Sequence, residues 1–162
     1  MVTRPAQPAY VTALVAAYGP PSQAAFGSAV FYDDGQPPQP LEQAALAKYQ
    51  YFVGDLWTRY GANAWLGAWQ QIYTRPQGAD HAVVSELRAI KDRSVAQSVE
   101  LLLDEAADPP AAQHALAAAF DDPAVTELAV YKIGDGAELA GILLAARRAA
   151  GGQTTMLVFL LD

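Results

Sequence analysis

The sequence predicts an α+β fold in which an antiparallel β-meander of three or four strands, late in the chain, packs against several α-helices. Three observations predict it. Apolar runs near 127–133, 139–148 and 154–161 are separated by Gly134-Asp135-Gly136 and by Gly151-Gly152-Gln153. Glycine takes the positive φ that tight hairpin turns demand, so the runs read as adjoining strands. Before residue 120, apolar residues recur at helical spacing between proline, glycine and aspartate breaks. Finally, 162 residues with 52 % hydrophobic content suffice for one core, and no repeat or change of composition divides them. The expectation is a single domain over 1–162, helical over 9–120 and sheet over 126–162.

In chain order, residues 1–8 carry two prolines and no pattern, which predicts a loose start. Tyr10, Leu14, Ala17 and Tyr18 space a helix over 9–18, ended by Gly19-Pro20-Pro21. Residues 22–32 fit a helix through Ala25, Phe26, Ala29 and Val30, or a strand at 28–32 running into Asp33-Asp34-Gly35; the strand is preferred. Gln36 to Pro40 is a stiff connector. Leu41, Ala45, Tyr49, Phe52, Leu56 and Tyr60 form one stripe, so a helix is expected over 41–60, with Gly54 tolerated inside it and Gly61 at its end.

A second helix is expected from an Asn63 cap through Trp65, Leu66, Trp69, Ile72 and Tyr73, closed by Pro76 and Gly78. Asp80 is expected to cap a third, and Ser94 with Gln97 fits a capping box. Residues 81–106 therefore read as helix throughout, the alternative being a break near 92–94. Asp108-Pro109-Pro110 is a helix start, and that helix runs to Phe120 with Ala112, Leu116 and Phe120 inward.

The final run is apolar on both faces, Thr155, Leu157, Phe159 and Leu161 alternating with Met156, Val158 and Leu160. Such a strand is normally covered on both sides. At the end of a plain meander it would also be an edge with unpaired backbone groups. Either the 28–32 stretch pairs beside it, helices cover both faces, or another chain does, which opens a homodimer through the C-terminal strand.

The net charge of −7 argues against direct nucleic-acid binding, which needs clustered Lys and Arg, and suits a basic protein partner. With no cysteine, disulfides, thiolate zinc sites and thiol nucleophiles are excluded. No apolar run reaches membrane-spanning length. Arg4 followed by 9–17 has a faint look of a leader, but Tyr10, Thr12 and Tyr18 interrupt it and helical spacing accounts for it. A cytoplasmic protein without membrane contact is expected. His81 and His114 lie in no metal-ligand pattern, Gly134-Asp135-Gly136 joins two strands with no lysine after it, and no G-x-S-x-G or S-x-x-K occurs. The expectation is no enzyme, no cofactor and no metal.

Two sets of residues remain as candidate contacts. Asp33, Asp34, Asp121, Asp122 and Asp135 fall in expected turns, where loops would present carboxylates to a partner; the bland reading of the two doublets is turn formation. The aromatics from Tyr49 to Tyr73 include Trp57, Trp65 and Trp69, which could wall a small-ligand pocket or simply pack as core. Arg147 and Arg148 point to opposite faces of one strand.

The pattern Glu127-Leu128-x-Val130-Tyr131-x-Ile133-Gly134, then Leu139-Ala140-Gly141-Ile142, resembles the strand–turn–strand near the C-terminus of the nuclease A inhibitor family. A helix-rich segment precedes these strands there, as 95–120 does here. The resemblance implies a small α+β fold with helices packed on an antiparallel sheet. It also implies a cytosolic acidic protein that blocks a sugar-non-specific endonuclease by placing acidic groups at the nuclease's metal site. The match spans about sixteen residues, mostly β-formers plus two turn glycines. That family's chains stop soon after the second strand, whereas this one runs on into another, so no inhibitory residue is carried over.

Overall fold

Val125–Gly134 (β3), Ala140–Arg148 (β4) and Thr154–Leu161 (β5) form the expected meander in the computed structural model. The structure describes residues 8–23, 26–33, 40–135, 139–148 and 152–161. Residues 1–7 of the expected loose start, Asp34, most of the proline connector, Gly136, Gly151 and Asp162 lie outside the described residues. The fold is α+β, with seven helices and five strands among the described residues.

Gly27–Asp33 (β1) and Gln70–Thr74 (β2) complete the sheet in the order β1-β5-β4-β3-β2, with every neighbouring pair antiparallel. The strand expected at 28–32 is therefore real, and its Val30 pairs with Leu157. This explains the two-faced apolar pattern of the last strand: β5 is flanked by β1 and β4, and both of its faces are buried. It offers no open ladder, which removes the backbone basis for the expected homodimer through the C-terminal strand.

Helices cover the sheet on both sides. Val30, Leu128, Val130, Ile142, Leu144 and Leu157 face one core, shared with α1 (Ala9–Tyr18), α5 (Val83–Arg88), α6 (Arg93–Asp104) and α7 (Pro109–Phe120). Phe31, Tyr131, Ile133, Leu143, Met156 and Val158 face the other, shared with α2 (Leu41–Val53), α3 (Asp55–Tyr60) and α4 (Ala62–Leu66). Alternation along each strand divides the side chains between the two cores. α1 and α7 match their expected spans, and the Asp108 carboxylate accepts the Ala111 N–H as a cap should.

Three helical expectations are corrected. The helix over 41–60 is broken at Gly54, whose φ of +65° ends α2 and lets α3 restart in a new direction. The helix from 63 to 73 stops at Leu66, and 70–74 is strand β2. A register shift between Gln71 and Tyr73 places an extra residue in β2. Ile72 and Tyr73 consequently pack on the same core, an adjacency that imitates helical rather than alternating spacing. The continuous helix over 81–106 is two helices. Asp92 caps the second, accepting the Val95 N–H at 3.1 Å and the Ser94 hydroxyl at 2.9 Å. Asp80 does not cap α5 among the described residues; the Val83 N–H at the start of α5 is bound at 2.8 Å by Asp121, which follows α7.

Candidate functional site

Tyr49 sits at the centre of an aromatic layer on the α2–α4 side of the sheet and has no exposed surface. Its hydroxyl accepts the Gly134 N–H at 3.0 Å and lies 3.0 Å from the Gly134 carbonyl and 3.2 Å from that of Trp65. One proton serves those two carbonyls, and the oxygen joins α2, the end of α4 and the end of β3. Burial pushes its pKa far above the usual tyrosine range, with the charge of Asp135 adding to the rise and the Gly134 hydrogen bond opposing it.

The tryptophans gather around this ring. Trp57 meets Tyr49 edge-on at 5.3 Å, and Trp65 does so at 6.4 Å, donating its indole N–H to the Leu56 carbonyl at 3.1 Å. Trp69 lies between Tyr49 and Tyr131, stacked at 5.5 Å and 4.5 Å. Trp65 is wholly buried and Trp57 is 8 % exposed, so these two rings pack against their neighbours as core. Trp69 is half-buried, and its Nε1 is buried with no hydrogen-bond partner among the described residues.

The outer surface of this layer is apolar. Tyr60 is 59 % exposed and Leu66 41 %, and Tyr60 leans on Trp65 with ring centres 6.4 Å apart. Tyr60 was expected in the buried stripe of a continuous helix; the break at Gly54 turns it outward. Carboxylates fringe the layer. Asp135 directly follows Gly134 and Asp55 opens α3; burial raises the Tyr131 phenol to about 12, with the charge of Glu42 and that of Glu127 further along β3 assisting. Arg59 is an exposed base in the last turn of α3.

The structure thus brings Asp135 together with Trp57, Trp65 and Trp69, and keeps Asp33, Asp121 and Asp122 at the opposite end of the sheet. Asp33 and Arg147 both register with Thr154, and Arg148 with Val125, just after Asp121 and Asp122. At that end each acid meets a base: Asp33 with Lys48 (3.6 Å), Asp121 with Arg75 (3.3 Å), Asp122 with Arg148 (3.4 Å) and Glu127 with Arg147 (3.6 Å). Asp122 also binds the Ala124 N–H at 2.7 Å, the turn-forming use of an Asp doublet. Asp135 accepts the Leu139 N–H at 3.0 Å across its own turn.

A second polar group went unseen in the sequence. Arg75, just after β2 and 5 % exposed, binds Glu86 through Nε and Nη2 and donates from Nη1 to the Phe120 carbonyl at 2.8 Å. The Tyr73 hydroxyl donates to the same Glu86. Burial pushes the Glu86 carboxyl up, but the hydrogen bonds of Arg75 and Tyr73 outweigh it and hold the group below its usual range. Burial raises Asp121, and the neighbouring Glu86 charge reinforces it against the pull of Val83 and Arg75. Burial and the Glu86 bond lift the Tyr73 phenol to about 12. No single stretch signals this group, because its members come from β2, α5 and the end of α7. His81 contacts the Asp122 carbonyl at 3.1 Å rather than a carboxylate, and His114 is exposed on α7. Among the described residues no three His, Cys, Asp or Glu side chains gather as a metal cage. No family model, curated protein or solved structure matches the chain.

Proposed function

We propose that this chain is a protein-interaction module that engages a basic protein through the outer surface of its aromatic layer. The observation that supports it is the exposure of Tyr60 against the packed Trp65, with Leu66 of α4 also exposed. Binding energy concentrates on aromatic anchors held rigidly from beneath, since a pre-ordered ring loses little freedom on association. The Asp55 and Asp135 carboxylates and the net charge of −7 favour a cationic partner. The strand–turn–strand pattern makes a sugar-non-specific nuclease the first partner to try. Its inhibition would be titrated with the purified protein at rising salt. Inhibition that weakens with salt is expected, and Tyr60→Ser or Leu66→Ser should each reduce affinity about tenfold or more. A nuclease untouched at micromolar dose sinks the nuclease reading, and inhibition indifferent to both substitutions sinks the surface.

One observation favours a second reading, a small-ligand module using the aromatic cluster: the Nε1 of Trp69, which has no hydrogen-bond partner among the described residues. A metabolite accepting that N–H would shift tryptophan fluorescence, and Trp69→Phe would abolish the shift. A flat response across a metabolite panel counts against it.

A further inference from the structure

β2 is the outer strand on its side of the sheet. The opposite edge is engaged by the end of α1, since Val30 donates to the Gly19 carbonyl at 3.1 Å and the Ser28 hydroxyl binds the Tyr18 carbonyl. On β2 the position is different. Arg75 donates to Leu128, so by alternation Tyr73 faces β3 and the N–H and C=O of Thr74 point outward. Among the described residues none pairs with Thr74 on that side. Beside this edge runs a groove of about 630 Å3 between β2 and α5, whose walls include Ile72, Tyr73, Ser85 and Ile90.

The charges in and beside the groove choose its occupant: of those lining it, Glu86 is held by Arg75 and Asp92 by Lys132, which leaves Lys91, and Asp80 lies outside it. The five residues of β2 carry none, which is unusual for an exposed edge strand. Lys91 lies at the Gln70 end, because its neighbour Asp92 binds Lys132, the register partner of Gln70. Asp80 lies towards the Thr74 end, since the adjoining His81 and Ala82 bind the Asp122 carbonyl and Glu86. Both Lys91 and Asp80 are exposed, and among the described residues neither is in an ion pair. A two-fold axis near Ile72 lays two β2 strands antiparallel, sets no charge against a like charge within them, and carries each Lys91 towards the Asp80 of the other copy.

We propose that β2 is a self-association edge, on which a second copy of this chain pairs strand to strand and buries the β2–α5 groove. The groove lies on the α5 side of the sheet and the aromatic layer on the other, so this inference does not depend on the proposed partner surface. The register shift keeps the ladder short, and the dimer is accordingly modest, with Kd on the order of 10 μM.

Sedimentation velocity across a concentration series tests it. The expected result is a mass that rises from one chain to two. Thr74→Pro, which deletes an outward N–H, should leave a single chain with unchanged circular dichroism. Lys91→Glu, on an exposed side chain that leaves the fold intact, should weaken association about tenfold, because symmetry counts the pair twice. The double variant Lys91→Glu with Asp80→Lys should restore it. A single-chain mass at every concentration overturns the proposal, as does a dimer indifferent to Lys91→Glu or a charge exchange that restores nothing.

Discussion

The Tyr49 hydroxyl holds three elements with one oxygen, and its replacement is the sharpest probe of a single side chain here. In Tyr49→Phe the ring still fills its place among the tryptophans, while the Gly134 N–H loses its acceptor and the Gly134 and Trp65 carbonyls lose a donor. Leaving such groups buried and unsatisfied costs about 1–3 kcal/mol, to be measured as a lower midpoint in urea unfolding. The sequence placed Tyr49 correctly on an inward helical stripe, since spacing records which face is buried. It gave no sign of the hydroxyl's partners, which lie on α4 and β3. Gly141 falls inside the strand expected over 139–148, and it lies within β4, opposite Leu160. A Cβ there would stand 1.9 Å from the Phe159 carbonyl, so close approach of β5 is the reason for glycine.

Among the elements, α5 depends most on its neighbours. A helix of six residues cannot persist by its own hydrogen bonds. Asp121 caps it from the end of α7, and Glu86 ties it to Arg75 beside β2. Glu86→Ala leaves a guanidinium 5 % exposed without its main partner, at a cost of about 3–5 kcal/mol, and the α5 amides should lose hydrogen-exchange protection first. The two carboxyls act oppositely with pH. Glu86 is depressed in the fold, so its contribution is complete above its unfolded pKa and is lost as pH falls through the folded one. Asp121 is raised, so it takes up a proton earlier on acidification, and that uptake favours the fold. In an acid titration of stability, Glu86→Gln should flatten the late fall and Asp121→Asn the early rise. Helices α1 and α7 and strands β3 to β5 were legible because period, cap and turn residues agree along one stretch. The break at Gly54 and strand β2 were not. Glycine permits a break without announcing one, and the register shift in β2 erased the alternation that marks a strand.

At the scale of the whole molecule, six of the bases among the described residues, Lys48, Arg75, Arg88, Lys132, Arg147 and Arg148, are held by acids. Four of these pairs occupy the end of the sheet where Asp33, Asp121 and Asp122 lie, which is why those acids are internal partners, while Asp135 lies at the aromatic layer. The sequence showed which carboxylates exist and could not show which are already matched, because the matching crosses elements. The pairing of Gly27 with Leu160 and of Asp33 with Thr154 sets the folding rate as well. Contacts so distant along the chain close slowly, and stopped-flow refolding should fall in the millisecond-to-second range typical of long-range sheets, roughly, with β1 and β5 amides gaining protection together.

That same pairing has a consequence during synthesis. When β1 leaves the ribosome, the strand it will lie against has not been translated, and β5 is the last of the five to be made. Until then the apolar sides of Val30 and Phe31 have no finished sheet to join, so the nascent chain depends on chaperones or on the early α1 and α2 contacts to stay out of aggregates.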